Sequence, residues 1–132
     1  MLINFTNHPY EIWPEAQREA AKTYGEVKDL PFPQVEPRMT SAELRALTDE
    51  YAEKIEAMKP EAVLAAGEFT LLFMLVDRLL RDGVNVVSSC SERETVEYKR
   101  PDGNTEKKAV FRFERFRKYE YYENRETTKD ER

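Results

Sequence analysis

The chain has 132 residues, close to the size of one ordinary domain, so one domain with its own core is expected. Lys and Arg number 21 against 26 Asp and Glu, and the resulting charge of −5 excludes a general duplex DNA binder, which must neutralise many phosphates. It leaves room for a small anionic ligand held by local positive potential. One cysteine rules out an internal disulfide framework and one histidine argues against a His- or Cys-rich metal site, so metal-free chemistry, or chemistry on carboxylate-bound Mg²⁺, is expected, with no cofactor.

The first segment, Leu2 to Phe5, is a short apolar run that reads as a strand and stops at Thr6-Asn7-His8-Pro9. Pro14 suits the first turn of a helix. That helix spans Glu15 to Tyr24, with Ala16, Ala20 and Tyr24 on one face and Gly25 as its stop. Glu26 to Leu30 reads as a second strand, and Pro31, Pro33 and Pro37 make an extended connection.

Thr40 and Ser41 offer caps for a second helix, in which Leu44, Leu47, Tyr51, Ile55 and Met58 keep helical spacing. Ala62 to Ala66 reads as a buried parallel strand, Glu68 to Arg81 as a third helix, and Val84 to Ser88 as a fourth strand. Arg93 to Tyr98 and Lys107 to Phe116 flank the turn signal Pro101-Asp102-Gly103-Asn104 and form an antiparallel hairpin. The domain is expected over residues 1–122, and the charged segment 123–132 reads as a disordered tail.

Alternating strands and helices imply an α/β fold: a Rossmann-like parallel sheet of order 2-1-3-4, flanked by helices, with the hairpin on one edge. Ligands bind such sheets at the carboxyl ends of the strands, where the strand order reverses. That rule nominates a site between Thr6-Asn7-His8 and Gly67-Glu68-Phe69-Thr70, with Ser88 to Arg93 beside it.

Thr6, Asn7 and His8 bring a hydroxyl, an amide and an imidazole that can shuttle a proton, though the same residues can simply cap a turn. Gly67 and Thr70 open the third helix, where free N–H groups favour an anion, and Gly67 permits close backbone approach. Glu68 is placed either as a general base or as a partner for the helix dipole. Ser89 and Ser91 can line a phosphate pocket, and Arg93 can pair with phosphate. The alternative for this run is an ordinary loop.

The third helix is apolar nearly all round, which implies a buried position or an interface, and a two-fold homodimer through residues 68–81 is the simplest closure. Arg112, Arg115, Arg117 and Lys118 among Phe111, Phe113, Phe116, Tyr119, Tyr121 and Tyr122 can serve base stacking, or can protect an edge strand. The longest strictly apolar run, Leu71 to Val76, falls far short of the ~20 residues of a membrane span, and no signal-peptide pattern opens the chain. A cytoplasmic protein without membrane contact is therefore expected.

A short apolar strand ending in Phe-Thr-Asn-His-Pro, at the head of such a domain, resembles the small standalone CARF-like ring nucleases of type III CRISPR systems. The resemblance rests on Thr6, Asn7 and His8 by sequence, and on Glu68 and Thr70 by topology alone. It implies a homodimer that binds a cyclic oligoadenylate, cyclic tetra-adenylate foremost, across its two-fold axis. It also implies metal-independent cleavage, in which a ribose 2′-hydroxyl attacks the adjacent phosphate, with His8 and Glu68 handling protons. The alternatives are a sensor or sponge that holds a nucleotide without cleaving it, and a nucleotide-binding or protein-interaction domain outside CRISPR biology.

Overall fold

The computed structural model describes residues 1–123, and the tail expected over 123–132 lies outside them from residue 124 onward. Five strands form one sheet: β1 (Leu2–Phe5), β2 (Val27–Asp29), β3 (Ala62–Ala65), β4 (Val86–Lys99) and β5 (Thr105–Lys118). The order is β2-β1-β3-β4-β5. β1 runs parallel to β2 and β3, β3 parallel to β4, and β5 antiparallel to β4. The chain is thus an α/β domain, and its strand order reverses between β1 and β3 as the sequence pattern predicts.

Among the described residues, three α-helices cover the sheet: α1 (Glu15–Ala21), α2 (Ser41–Ala57) and α3 (Phe69–Arg81). Side chains alternate across each strand, so the central strands build two cores. Ile3, Phe5, Val63, Ala65 and Val86 face α2 and α3, packing on Leu44, Ile55, Leu71, Leu75 and Leu79. Leu2, Ala62, Leu64 and Val87 face α1, packing on Trp13 and Ala21. Both faces of β1 and β3 are fully buried, which accounts for their unbroken apolar runs.

The helix boundaries follow from local chemistry. Thr40 and Glu43 form a reciprocal capping box at the start of α2. Gly25 takes a φ of +99° after a single 3₁₀ turn, a conformation that disfavours a side chain. The inner face of α1 is displaced by one residue from the expected one. Trp13, Gln17 and Ala21 are buried, whereas Ala16 is exposed, because the large Trp13 ring sets the rotation of the helix.

The largest departure concerns Ser88 to Arg93. The sequence pattern makes this run a loop between a fourth strand and a separate hairpin. Instead β4 continues unbroken from Val86 to Lys99, paired with β5 along its length. Only Val86 and Val87 pair with β3, so the rest of β4 and most of β5 stand beyond the carboxyl edge of the parallel sheet as a two-stranded ribbon. Cross-strand pairing overrides the weak strand propensity of Ser and Glu.

Candidate functional site

A cavity of about 440 Å³ opens at the carboxyl ends of β1 and β3, beside the first half of β4, on the α1 side of the sheet. Its floor is Leu64 and Ala66; Thr6 and His8 close one side, Trp13, Pro14 and Gln17 another, and Ser89, Ser91 and Phe111 the ribbon side. Four of the sequence-nominated residues (Thr6, His8, Ser89 and Ser91) therefore meet around one space.

The His8 loop is held by its backbone. Asn4, 1% exposed, donates from its amide to the His8 carbonyl and to Asp29 Oδ1, both at 2.8 Å. Thr6 Oγ1 donates to Asn4 Oδ1 at 2.7 Å and accepts from the His8 N–H at 3.1 Å. Trp13 Nε1 donates to the same His8 carbonyl at 2.9 Å. Asp29 accepts in addition from the Tyr10 N–H, which ties the far end of the loop to β2. Thr6 is consequently a structural hydroxyl, already engaged. The imidazole of His8 forms no hydrogen bond with another described residue. Asn7 is exposed beside it and does not line the cavity.

On the ribbon, Ser89, Ser91 and Arg93 alternate onto the α1 face. Opposite them stand Phe116, Phe113 and Phe111. A bulge between Cys90 and Ser91 leaves Glu114 without a cross-strand partner. That extra residue returns Phe116 to the same face as Phe113, and their rings stack edge to face with centroids 5.0 Å apart. A row of hydroxyls ending in an arginine thus runs beside a row of aromatic rings. Phe116 anchors the row by reaching Trp13 and Tyr24. No hydrogen bond to another described residue occupies the Ser89 or Ser91 hydroxyl, and Arg93 makes no salt bridge among the described residues.

Gly67, Glu68 and Thr70 lie away from this cavity. A Cβ on Gly67 would come within 2.4 Å of the Phe32 ring, so the absence of a side chain there lets Phe32 pack across the end of β3. Glu68 is the N-cap of α3 and accepts from the Thr70 and Leu71 N–H groups at 2.9 Å each. The Thr70 hydroxyl donates to the same carboxylate. These bonds, the Thr70 hydroxyl first and then the two amides, hold the Glu68 carboxyl below the ordinary glutamate range. The helix cap therefore occupies the groups that were nominated for ligand and proton transfer.

A consequence can be checked directly. Glu68→Ala should lower stability at neutral pH by about 1 kcal/mol, as loss of a cap does. Because the folded-state pKa is depressed, the stabilisation is fully present above the unfolded-state value and disappears as falling pH titrates Glu68 through its lowered one. Denaturant melts of both proteins at neutral and strongly acid pH should show the difference at the former and not at the latter.

Sequence reasoning missed Asn4, Asp29, Trp13 and Gln17. Gln17 is nine-tenths buried and lines the cavity with no side-chain hydrogen bond to another described residue. Its signal was present: Trp13, Gln17 and Ala21 are four apart and define a helical face with a polar centre. Asn4 was marked too, as an amide inside the apolar run Leu2–Phe5. Among the described residues, no group of three or more His, Cys, Asp or Glu side chains is placed to hold a metal ion. Among the described residues, no helix is long and apolar enough to cross a membrane.

Fold and site together define an α/β domain with a polar-rimmed cavity at the strand-order reversal of a mainly parallel sheet. The chain belongs to the uncharacterized protein MJ1673 family, whose model matches residues 1–117 and so takes in the ribbon. No curated protein and no solved structure gives a significant match.

Proposed function

We propose that the protein is a Rossmann-like, CARF-like ring nuclease that binds a cyclic oligoadenylate, cyclic tetra-adenylate foremost, and cleaves it without a metal. The observation that carries this reading is the cavity between His8 and the Ser89–Ser91 edge. It lies where an open α/β sheet receives ligands, and it collects an imidazole, two unengaged hydroxyls and the Gln17 amide.

The chemistry is transfer within the ligand. The ribose 2′-oxygen attacks the adjacent phosphorus, the 2′-O–P bond forms, and the P–O5′ bond breaks, leaving a 2′,3′-cyclic phosphate and a free 5′-hydroxyl. His8 takes the 2′-hydroxyl proton, and the departing 5′-oxygen takes one from water. Ser89, Ser91 and Gln17 donate hydrogen bonds to the phosphate oxygens. Glu68 acts on this site only by fixing the start of α3.

A second copy completes the reading. Phe69 and Phe73 on the outer side of α3 are 85% and 76% exposed. With Leu72, Val76, Leu80 and Tyr121 they border an apolar groove of about 520 Å³. A two-fold dimer would bury this groove. Light scattering should give twice the chain mass, and Phe73→Asp should give the single-chain mass.

Binding is tested through Trp13, the only tryptophan, which lines the cavity. Cyclic tetra-adenylate should change its emission saturably. Binding with the ring recovered intact would instead select a sensor or sponge. The engagement of Glu68 in the cap is what favours that second reading, since it leaves His8 as the sole imidazole or carboxylate lining the cavity.

A further inference from the structure

We propose that the ribbon carries a second nucleotide subsite, with Phe111 as a stacking platform for a base and Arg93 as the contact for the next phosphate. The ligand class is then an oligonucleotide of at least two nucleotides rather than a mononucleotide. The proposal rests on the nucleotide reading of the His8 cavity and deepens it.

Phe111 lines the mouth of that cavity yet is 64% exposed, the only aromatic of the Phe116-Phe113-Phe111 row left open to solvent to that degree. Its neighbours in the row are packed: Phe116 against Trp13 and Phe113 against Phe116. The row therefore ends in a free ring face beside a ligand-sized space. Arg93 stands directly across from Phe111, one alternation beyond Ser91, or about 6.8 Å further from the cavity.

Some cations of the ribbon are paired. Arg112, on the opposite face, is paired with Glu94 at 2.8 Å, and Lys107, further out, is paired with Glu97 at 3.6 Å. Arg93, like Arg115, Arg117 and Lys118 elsewhere on the ribbon, makes no such pair among the described residues, and of these it is the one that stands across from Phe111. An exposed ring and an unpaired guanidinium, side by side and one step beyond two free hydroxyls, match the alternation of base and phosphate along a nucleic-acid strand. A mononucleotide seated between His8 and Ser91 would leave both unused.

The test is a titration of Trp13 emission with two probes: adenosine 5′-monophosphate, and a 5′-phosphorylated 2′-deoxy-adenylate dinucleotide that has no 2′-hydroxyl to attack. The dinucleotide should bind the wild type at least tenfold more tightly than the monophosphate. Phe111→Ala and Arg93→Gln should each weaken the dinucleotide by about tenfold, the usual scale of one stacked base, and leave the monophosphate unchanged. Phe111→Tyr, which keeps the ring, should bind as wild type. Equal affinity for the two probes, or a dinucleotide that binds Phe111→Ala as it binds the wild type, would overturn the subsite and leave the cavity reading standing. No binding of either probe to the wild type would overturn both.

Discussion

Replacing His8 with alanine is expected to slow ring cleavage by about 10²- to 10⁴-fold, the usual contribution of a positioned general base. Ring affinity should stay within about threefold of wild type, because hydrogen bonding of the ligand phosphate falls to Ser89, Ser91 and Gln17. The substitution is clean for a structural reason. The loop is held through the His8 N–H and carbonyl, by Thr6, Asn4 and Trp13, and not through the imidazole. Thermal stability should therefore be unchanged. Single-turnover cleavage followed by chromatography, with affinity read from Trp13 emission, separates the two effects. An unaltered rate would remove His8 from the chemistry.

The largest effect on stability is expected at Asn4. This side chain donates to the His8 carbonyl and to Asp29 and accepts from Thr6, all while 1% exposed. Asn4→Ala removes three buried hydrogen bonds at once, while Trp13 still donates to the His8 carbonyl and the Tyr10 N–H to Asp29, and removing one member of a buried network costs about 3 kcal/mol. For a domain of this size that lowers the melting temperature by roughly 10 °C. Ligand affinity should fall with it, since the loop that presents His8 loses one of its ties. Asn4→Asp has the same shape and a different fate. It sets a second carboxylate beside Asp29, so at neutral pH it should be at least as destabilising, with recovery as acid lets the pair share a proton. Calorimetry of the three proteins at neutral and acid pH checks both statements.

Much of the architecture was legible because it follows from local rules. Leu2–Phe5 and Ala62–Ala65 are apolar runs of strand length, and both are strands buried on two faces. Thr40 and Gly25 mark helix ends by chemistry that acts within a turn. The strand order and its reversal between β1 and β3 follow from the alternation of strands and helices, and the reversal located the cavity.

What escaped was non-local. The run Ser88 to Arg93 has loop composition, and it is strand because β5 pairs with it from far along the chain. Gly67 looked like a ligand-approach glycine, yet the neighbour that forbids a side chain there is Phe32, in the Pro-rich connection. Glu68 offered a base or a cap, and the positions of the Thr70 and Leu71 amides give it the cap. The amide network under His8 depends on Asn4, Thr6 and Asp29 meeting across two strands, which no window of sequence displays.

The central claim is that the His8 cavity opens a cyclic oligoadenylate by attack of its own 2′-hydroxyl. The most direct measurement incubates the purified chain with cyclic tri-, tetra- and hexa-adenylate in the presence of EDTA and resolves the products by chromatography with mass detection. The account predicts conversion of at least one ring, cyclic tetra-adenylate foremost, to linear products ending in a 2′,3′-cyclic phosphate, with the conversion lost in His8→Ala. Recovery of all three rings intact, with Trp13 emission unmoved by any of them, would contradict it.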